Sequence, residues 1–175
     1  MKSILILGGA RSGKSSFAQN LASELGGTVT FVATAEAGDE DMYRRIAEHR
    51  RSRPESWQTV EAQYGIGKAI KKQAGKSDVV IIDCITMLVS NIMLKSLRKA
   101  PAEELVLKEI ETLVRCMGES PATFILVSNE VGMGLVPDNE LGRRYRDILG
   151  QANQLLAKSA DEIYLMVTGV PIKLK

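Results

Sequence analysis

The residues Ile4-Leu5-Ile6-Leu7 are followed at once by G-G-A-R-S-G-K-S, Gly8 to Ser15. This octet matches the phosphate-binding pattern G-x-x-x-x-G-K-[ST], in which glycines let backbone N–H groups surround a polyphosphate. The pattern requires a strand before the loop and a helix after it, and that helix adds the positive end of its dipole. We predict that Lys14 reaches the β- and γ-phosphates and that the Ser15 hydroxyl ligates Mg²⁺. An ordinary glycine-rich turn is the weaker interpretation, because four fixed positions match, so the pattern predicts a nucleoside triphosphate as ligand.

The composition is that of an ordinary globular chain. It has 175 residues, of which 45% are hydrophobic and 25% charged, and we expect a single domain over residues 1–175. The net charge of +2 is too small to argue for a nucleic-acid partner. No stretch approaches the roughly 20 apolar residues of a membrane helix, and the apolar run before Gly8 is too short for a signal peptide. Cys84 and Cys116 form no C-x-x-C pair and indicate reduced thiols, hence a cytoplasmic protein.

Strand and helix patterns alternate along the whole chain. Continuous apolar runs predict buried strands at Ser3–Leu7, Thr28–Ala33, Asp78–Ile82, Thr123–Val127 and Glu162–Val167, with a final edge strand at Val170–Leu174. Helical periodicity predicts helices at Lys14–Leu25, Asp39–Arg51, Gly65–Ala74, Ile85–Leu97, Ala102–Met117 and Asn139–Lys158. This alternation predicts an α/β fold: a single P-loop NTPase-like domain with a mostly parallel, doubly wound sheet and helices on both faces. A ligand is then expected beyond the carboxyl ends of the strands.

Asp83 closes the apolar run Val79-Val80-Ile81-Ile82. A carboxylate at the end of such a strand is where P-loop proteins hold Mg²⁺. Alone the pattern is weak, because an acidic residue often ends a strand. Beside a P-loop it favours the nucleotide site, where Asp83 would hold Mg²⁺ through water or accept hydrogen bonds from a ribose or a base.

His49 is the only histidine and lies among five arginines within ten residues, Arg44, Arg45, Arg50, Arg51 and Arg53. Helical spacing puts it on one face with Met42 and Ile46, and from spacing alone a packed core histidine is the favoured interpretation. The guanidinium groups disfavour an imidazolium and would bind phosphate oxygens. A neutral imidazole beside such a cluster suits attack on phosphorus. The segment is therefore a candidate second phosphate-handling surface.

Several motifs together carry a family resemblance. They are the P-loop octet, F-V-A-T-A at Phe31–Ala35, R-I-A-E-H-R-R-S-R-P at Arg45–Pro54, W-Q-T-V-E at Trp57–Glu61 and S-N-E-V-G-M-G-L-V-P at Ser128–Pro137. In this combination the chain resembles, from end to end, the bifunctional adenosylcobinamide kinase / adenosylcobinamide-phosphate guanylyltransferases of cobalamin biosynthesis. The histidine-containing block together with N-E-V-G-M-G is the specific part of the likeness.

The resemblance implies two reactions and a set of site residues. ATP or GTP would phosphorylate adenosylcobinamide; GTP would then transfer GMP to a histidine, and the phosphorylated corrinoid would take it to give adenosylcobinamide-GDP. The guanylylated histidine falls on His49, and Lys14 is the second catalytic candidate. The GTP contacts fall on Gly8, Gly9, Ala10, Arg11, Ser12, Gly13, Lys14, Ser15, Ala33, Thr34, Ala35, Arg50, Arg51, Ser52, Arg53, Glu61 and Asp83. The family also implies a homotrimer.

Some interpretations stay open at this level. Glu61 can read guanine, since a carboxylate accepts from N1–H and the exocyclic amine, or it can be a surface residue at a strand end. Asn129 and Glu130 follow a strand and are either corrinoid or phosphate contacts or simply loop residues. A small-molecule P-loop kinase with an inert His49 is the alternative function. A regulatory nucleotide switch is disfavoured, because the chain contains no N-K-x-D guanine-reading motif.

Overall fold

A computed structural model of the chain describes residues 2–36, 40–51, 53–73, 76–96 and 101–175. Strands and helices alternate within these ranges. The strands are β1 (Ser3–Gly8), β2 (Val29–Ala33), β3 (Gln58–Glu61), β4 (Val79–Asp83), β5 (Thr123–Val127), β6 (Glu162–Val167) and β7 (Val170–Lys173). The helices are α1 (Lys14–Leu25), α2 (Glu40–Arg51), α3 (Ile66–Gln73), α4 (Ile85–Ser96), α5 (Ala102–Gly118) and α6 (Glu140–Ser159).

The described strands form one sheet in the order β3-β2-β4-β5-β1-β6-β7. All neighbouring pairs are parallel except β6 and β7, which form an antiparallel edge hairpin. In this order β5 separates the P-loop strand β1 from β4, which carries Asp83. The predicted α/β class with a mostly parallel sheet is confirmed.

The sheet is covered by helices on both faces. Alternating residues of β1 point to opposite sides: Leu5 is buried against α3 to α6, whereas Ile4 and Ile6 are buried on the face that α1 covers. This two-sided burial explains why the central strands are continuous apolar runs. The doubly wound arrangement therefore follows directly from the pattern of the sequence.

Most predicted boundaries agree with the structure to within one residue or two. β1 extends to Gly8 and β4 to Asp83, so both residues are the last of their strands rather than the first of a loop. The predicted helix termini at residues 39, 74 and 97 lie outside the described residues. Strand β3 was not among the predicted strands. It is an edge strand, it pairs only with β2 among the described strands, and its side chains are largely exposed, so it lacks the apolar signal.

Two further expectations can be compared with the fold. Cys84 and Cys116 are both free; Cys116 is buried as expected of a core thiol, whereas Cys84 is only partly buried. Within the part of the chain that the structure describes, no helix combines the length and apolarity needed to cross a membrane.

Candidate active site

The loop after β1 requires glycine at both of its ends. Gly8 has φ +151° and Gly13, which precedes α1, has φ +91°. A Cβ atom on Gly8 would lie 2.7 Å from the Met166 carbonyl oxygen and 2.7 Å from Ser12 Oγ. The contact with the Met166 carbonyl oxygen could be relieved only by a shift of the backbone, so Gly8 is required for steric as well as conformational reasons.

Lys14 lies in the first turn of α1 with only 8% of its surface exposed. Its Nζ donates hydrogen bonds to the Gly9 carbonyl oxygen and, at 3.4 Å, to Ser12 Oγ. Burial lowers the pKa of Lys14, while the neighbouring Asp83 carboxylate acts in the opposite direction. The loop thus carries a partly desolvated ammonium group that an anion would stabilise.

Asp83 lies at the carboxyl end of β4 with an unsatisfied oxygen. Its Oδ2 is buried and accepts no hydrogen bond from any described residue. Lys14 and Arg53 are both close enough to interact with it electrostatically. A buried acceptor without a partner is costly in a folded protein unless a ligand or ion satisfies it.

Ser15 and Asp83 border the same cleft, which provides the test of whether Mg²⁺ fits. One hydroxyl and one carboxylate are oxygen donors of the kind that Mg²⁺ takes when phosphates and waters complete its coordination. No group of three His, Cys, Asp or Glu side chains able to hold a metal occurs among the described residues. The residues therefore fit a Mg²⁺ ion that arrives with a nucleotide, not one held by the protein alone.

Thr34 follows β2 and is fully buried. Its Oγ1 donates to the Cys84 carbonyl oxygen at 2.7 Å and accepts from the Cys84 backbone N–H at 2.8 Å. Its own carbonyl oxygen accepts from Asn91 Nδ2 at 2.8 Å. Thr34 therefore fixes the peptide group directly after Asp83, and its hydroxyl is used within the protein.

Burial also determines the state of Cys84. Burial and the charge of Asp83 raise the pKa of Cys84 to about 12. The raised pKa favours the neutral thiol over the thiolate, which is the nucleophilic form of cysteine.

Arg53 stacks on the aromatic side chain of Phe31. Its guanidinium carbon lies 3.7 Å from the ring centre, and its Nε and Nη1 are buried without a hydrogen-bond acceptor among the described residues. Burial lowers the pKa of Arg53, against the opposing effect of Asp83. The planar group is thus held in one orientation with two donors unused.

Arg50 and Glu61 form an ion pair between the last turn of α2 and the end of β3. Both side chains are more than half exposed. Such a pair contributes little to stability, so a ligand can exchange either partner at low cost.

His49 lies in the last turn of α2 and is exposed. The interpretation as a packed core histidine, which spacing alone favoured, is therefore wrong. Ile46, one turn earlier, is on the same side and borders the same cleft. The side chain of Met42 lies outside the described residues.

One cleft of about 1030 Å³ brings most of the candidate residues together. Ligand sites typically span roughly 300–1,000 Å³. Of the residues named from the sequence, those that line it are Ala10, Arg11, Ser12, Gly13, Lys14, Ser15, Ala33, Ala35, His49, Arg50, Arg53, Glu61 and Asp83. Gly8, Gly9, Thr34 and Arg51 do not line it, and Ser52 is outside the described residues.

The cleft also has lining residues that the sequence analysis did not assign to the nucleotide site. They are Ser16, Glu36, Tyr43, Ile46, Glu48, Gln63, Cys84, Met87, Val127 and Asn129. Two signals could have found part of them. Ile46 lies about one helical turn before His49, and Val127 and Asn129 lie at the carboxyl end of a central strand, where α/β ligands bind.

The sheet is mostly parallel and has helices on both faces, and a glycine-rich loop leads from β1 into α1 beside the cleft. These features define an α/β protein of the P-loop NTPase type. The cobinamide kinase / cobinamide phosphate guanyltransferase family model matches residues 4–174. The chain belongs to this family of enzymes, as its motifs indicated.

The sequences of three relatives align with this chain over nearly their full length. The chain is 43% identical over 171 residues to the bifunctional adenosylcobalamin biosynthesis protein CobP of Pseudomonas aeruginosa, covering 98% of this chain and 96% of the relative. It is 39% identical over 180 residues to the bifunctional adenosylcobalamin biosynthesis protein CobU of Escherichia coli, and 38% identical over 180 residues to CobU of Salmonella typhimurium. Both of these alignments cover 98% of this chain and 99% of the relative.

Proposed function

We propose that this enzyme phosphorylates adenosylcobinamide with ATP or GTP and then transfers GMP from GTP to the product, giving adenosylcobinamide-GDP in cobalamin biosynthesis. The observation that carries the proposal is the single cleft lined by both Lys14 and His49. The family description names a kinase and a guanyltransferase, and all three relatives are named bifunctional. A kinase with one activity is therefore not favoured.

In the kinase reaction, the substrate hydroxyl oxygen forms a bond to the γ-phosphorus and the bond from that phosphorus to the β,γ-bridging oxygen breaks. The nucleoside diphosphate leaves with the electron pair, and the hydroxyl proton passes to solvent. Backbone N–H groups of the P-loop and the ammonium of Lys14 counter the charge on the phosphates.

In guanylyl transfer, an imidazole nitrogen of His49 forms a bond to the α-phosphorus of GTP. The bond to the α,β-bridging oxygen breaks, pyrophosphate leaves and the imidazole gives up a proton. A phosphate oxygen of the phosphorylated corrinoid then attacks the same phosphorus, the P–N bond breaks, and His49 regains a proton. An exposed imidazole at the cleft wall is accessible for both steps.

The remaining nucleotide contacts divide by chemistry. Ala10 to Ser15 hold the polyphosphate, with Gly8 and Gly9 shaping the loop, and Arg50 and Arg53 bind phosphate oxygens together with Ser52. Glu61 accepts from the guanine edge, and Ala33 and Ala35 border the nucleoside. Thr34 acts through the backbone of Cys84 rather than by touching the ligand, a role supported by the two hydrogen bonds of its hydroxyl.

Mg²⁺ is held by Ser15 and Asp83 in this proposal. The unsatisfied, buried Oδ2 of Asp83 supports the assignment. A Mg²⁺ ion held there would supply positive charge to offset the negative charge that develops on the phosphates during transfer.

Both reactions use one triphosphate site, with His49 close to the α-phosphorus in one of them. The presence of Lys14 and His49 in one cleft supports a single triphosphate site for both reactions. Titration with a non-hydrolysable GTP analogue should therefore give one binding site per chain. Two sites occupied at the same time would exclude the proposal of a shared triphosphate site. From the family resemblance we also propose a homotrimer in the cytoplasm, and analytical ultracentrifugation tests the assembly.

The decisive experiment incubates the protein with α-labelled GTP and Mg²⁺, then denatures it and locates the label by mass spectrometry. His49 is the only histidine, so a GMP adduct that is stable to alkali and lost in acid can be assigned to one residue. The adduct should be absent in His49→Asn, which keeps a polar side chain of similar shape on the exposed helix surface.

Phosphorylation of adenosylcobinamide with ATP is the internal control. It should persist in His49→Asn, because His49 has no part in that reaction. Absence of any adduct in the unmodified protein, with phosphorylation intact, would leave only the kinase. An adduct on another residue would exclude His49 as the nucleophile.

A further inference from the structure

Asn129 lies at the point where the sheet brings the P-loop and Asp83 together. Strand β5 lies between β1 and β4, and its last residue, Val127, is in register with Asp83. Three residues after Val127 the chain runs beside the P-loop, where the Glu130 N–H donates to the Gly8 carbonyl oxygen at 3.0 Å. Asn129 lines the cleft at this position.

The backbone of Asn129 is held from two sides. Its N–H donates to Thr86 Oγ1, on α4, at 2.7 Å. Its carbonyl oxygen accepts from Asn153 Nδ2, on α6, at 3.0 Å. Asn153 is itself buried, and its Oδ1 accepts from Ser128 Oγ at 2.7 Å. Because both backbone polar groups are engaged behind the cleft, the side-chain amide is the polar group of Asn129 that remains for a ligand.

The strand order indicates which phosphate this amide can reach. Strand β5 is the immediate neighbour of β1, whereas β2, which leads into the helix of His49, is three strand positions from β1. At about 4.8 Å per strand, that separation is roughly 14 Å. Asn129 therefore belongs to the P-loop end of the cleft, where Lys14 is expected to meet the β- and γ-phosphates.

We propose that Asn129 is a catalytic residue of the kinase reaction, whose side-chain amide donates a hydrogen bond to the terminal phosphate of the bound triphosphate. The inference rests on the proposed function and adds a residue to it. The amide is neutral, so it stabilises charge on the transferring group without gaining or losing a proton. The rigid backbone clamp fixes the donor before the substrate arrives.

The first measurement compares nucleotides that differ only in the terminal phosphate. Asn129→Ala should weaken binding of the non-hydrolysable imido analogue of ATP several-fold and leave ADP affinity unchanged, because ADP lacks the contacted group. This binding assay needs no corrinoid. Equal losses for both nucleotides, or no loss for either, would overturn the proposal.

The second measurement follows phosphorylation of adenosylcobinamide with ATP. Removal of one preorganised donor costs about 10²-fold in kcat, and we expect this for Asn129→Ala with a smaller change in KM. Asn129→Asp keeps the shape but repels phosphate, so it should lose at least as much. A kcat within twofold of the unmodified enzyme in Asn129→Ala would contradict the role.

Asn20→Ala is the matched control, since Asn20 is exposed on α1 and should change neither binding nor kcat. Thermal unfolding of every variant checks the fold. If the unmodified protein binds the triphosphate analogue but does not phosphorylate the corrinoid, the proposed function fails while the Asn129 contact is still decided by the binding assay. If it binds neither nucleotide, both proposals fail.

Discussion

The guanidinium carbon of Arg53 lies 3.7 Å from the centre of the Phe31 ring. The contact joins β2 to the segment after α2, and Arg53 lines the cleft. Stacking fixes the plane of the guanidinium group, and its buried Nε and Nη1 have no acceptor among the described residues. The arrangement is that of a pre-oriented donor pair that a ligand would complete.

Replacement of Arg53 by lysine should therefore weaken GTP binding by roughly 10-fold, the effect of losing one hydrogen bond to a charged group. The charge is kept, but the planar donor pair and its stacking are lost. Calorimetric titration with a non-hydrolysable GTP analogue measures the change. Arg115→Lys, at an exposed arginine of α5, is the control, and equal affinities for the Arg53 variant and this control would exclude Arg53 as a contact.

Glu61→Gln tests whether this carboxylate reads the guanine base. A carboxylate accepts from both N1–H and the exocyclic amine, so the unmodified protein should bind GTP more tightly than inosine triphosphate, which lacks the amine. The variant should bind GTP about 10-fold more weakly and lose that preference. Competition titrations measure both, with exposed Glu111→Gln as control. If Glu61→Gln still prefers GTP to inosine triphosphate, Glu61 does not read the guanine base and is a surface residue at a strand end.

Thr34→Val removes a hydroxyl that both donates to and accepts from Cys84. The Cys84 N–H is left without its acceptor, which should lower the free energy of unfolding by about 1–3 kcal/mol. Thr34→Ser keeps the hydroxyl and should recover most of the loss. Denaturant unfolding measures stability, with Thr112→Val as a control because the Thr112 hydroxyl donates to the Lys108 carbonyl oxygen of its own helix. A Thr34→Val variant as stable as the unmodified protein would show that the hydrogen bonds between Thr34 and Cys84 do not stabilise the fold.

Glu162 should make the free energy of unfolding depend on pH in the acidic range. Hydrogen bonds from Lys2 and Lys173, then from Tyr164, lower the pKa of Glu162 to about 2, against an ordinary value of 4.5. In the unfolded chain the carboxylate takes up its proton at higher pH than in the folded chain. The stabilisation is therefore present above about pH 4.5 and is lost as the pH falls towards 2.

Glu162→Gln should consequently be less stable than the unmodified protein at pH 7, by no more than about 1 kcal/mol for pairs this close to solvent. The difference should shrink between pH 4.5 and 2. Thermal unfolding over this range at low salt measures it, and Glu24→Gln, at an exposed position, is the control. A constant difference down to pH 2 would contradict the ion-pair explanation.

The strands that could be predicted from the sequence have a continuous apolar run, and the strand that could not be predicted lacks one. The central strands were found because burial on both faces makes them continuous apolar runs. Strand β3 was missed because an exposed edge strand has no such run. His49 shows the same limit: helical spacing is compatible with either a core or a cleft position, and only the packing of α2 decides between them.

Thr34 and Asn129 show a second limit. Thr34 meets Cys84 across 50 residues of chain, and the Asn129 backbone is held by residues 43 and 24 positions away. No spacing rule connects such residues, because their proximity depends on the order of the strands. The candidate site could thus be named in large part from motifs, whereas the division of its members into ligand contacts and supports could not.

By itself the sequence determined the α/β class and the P-loop, because strand burial and a turn that only glycine can form are written in consecutive residues. It also determined the family, through motifs spread along the chain. The tertiary structure decided that Lys14, His49, Arg53 and Asp83 share one cleft, and that Thr34 supports Cys84 from beneath. The physical reason is that buried donors and acceptors must find partners, and which partners are in reach is fixed only when the strands have assembled in the sheet.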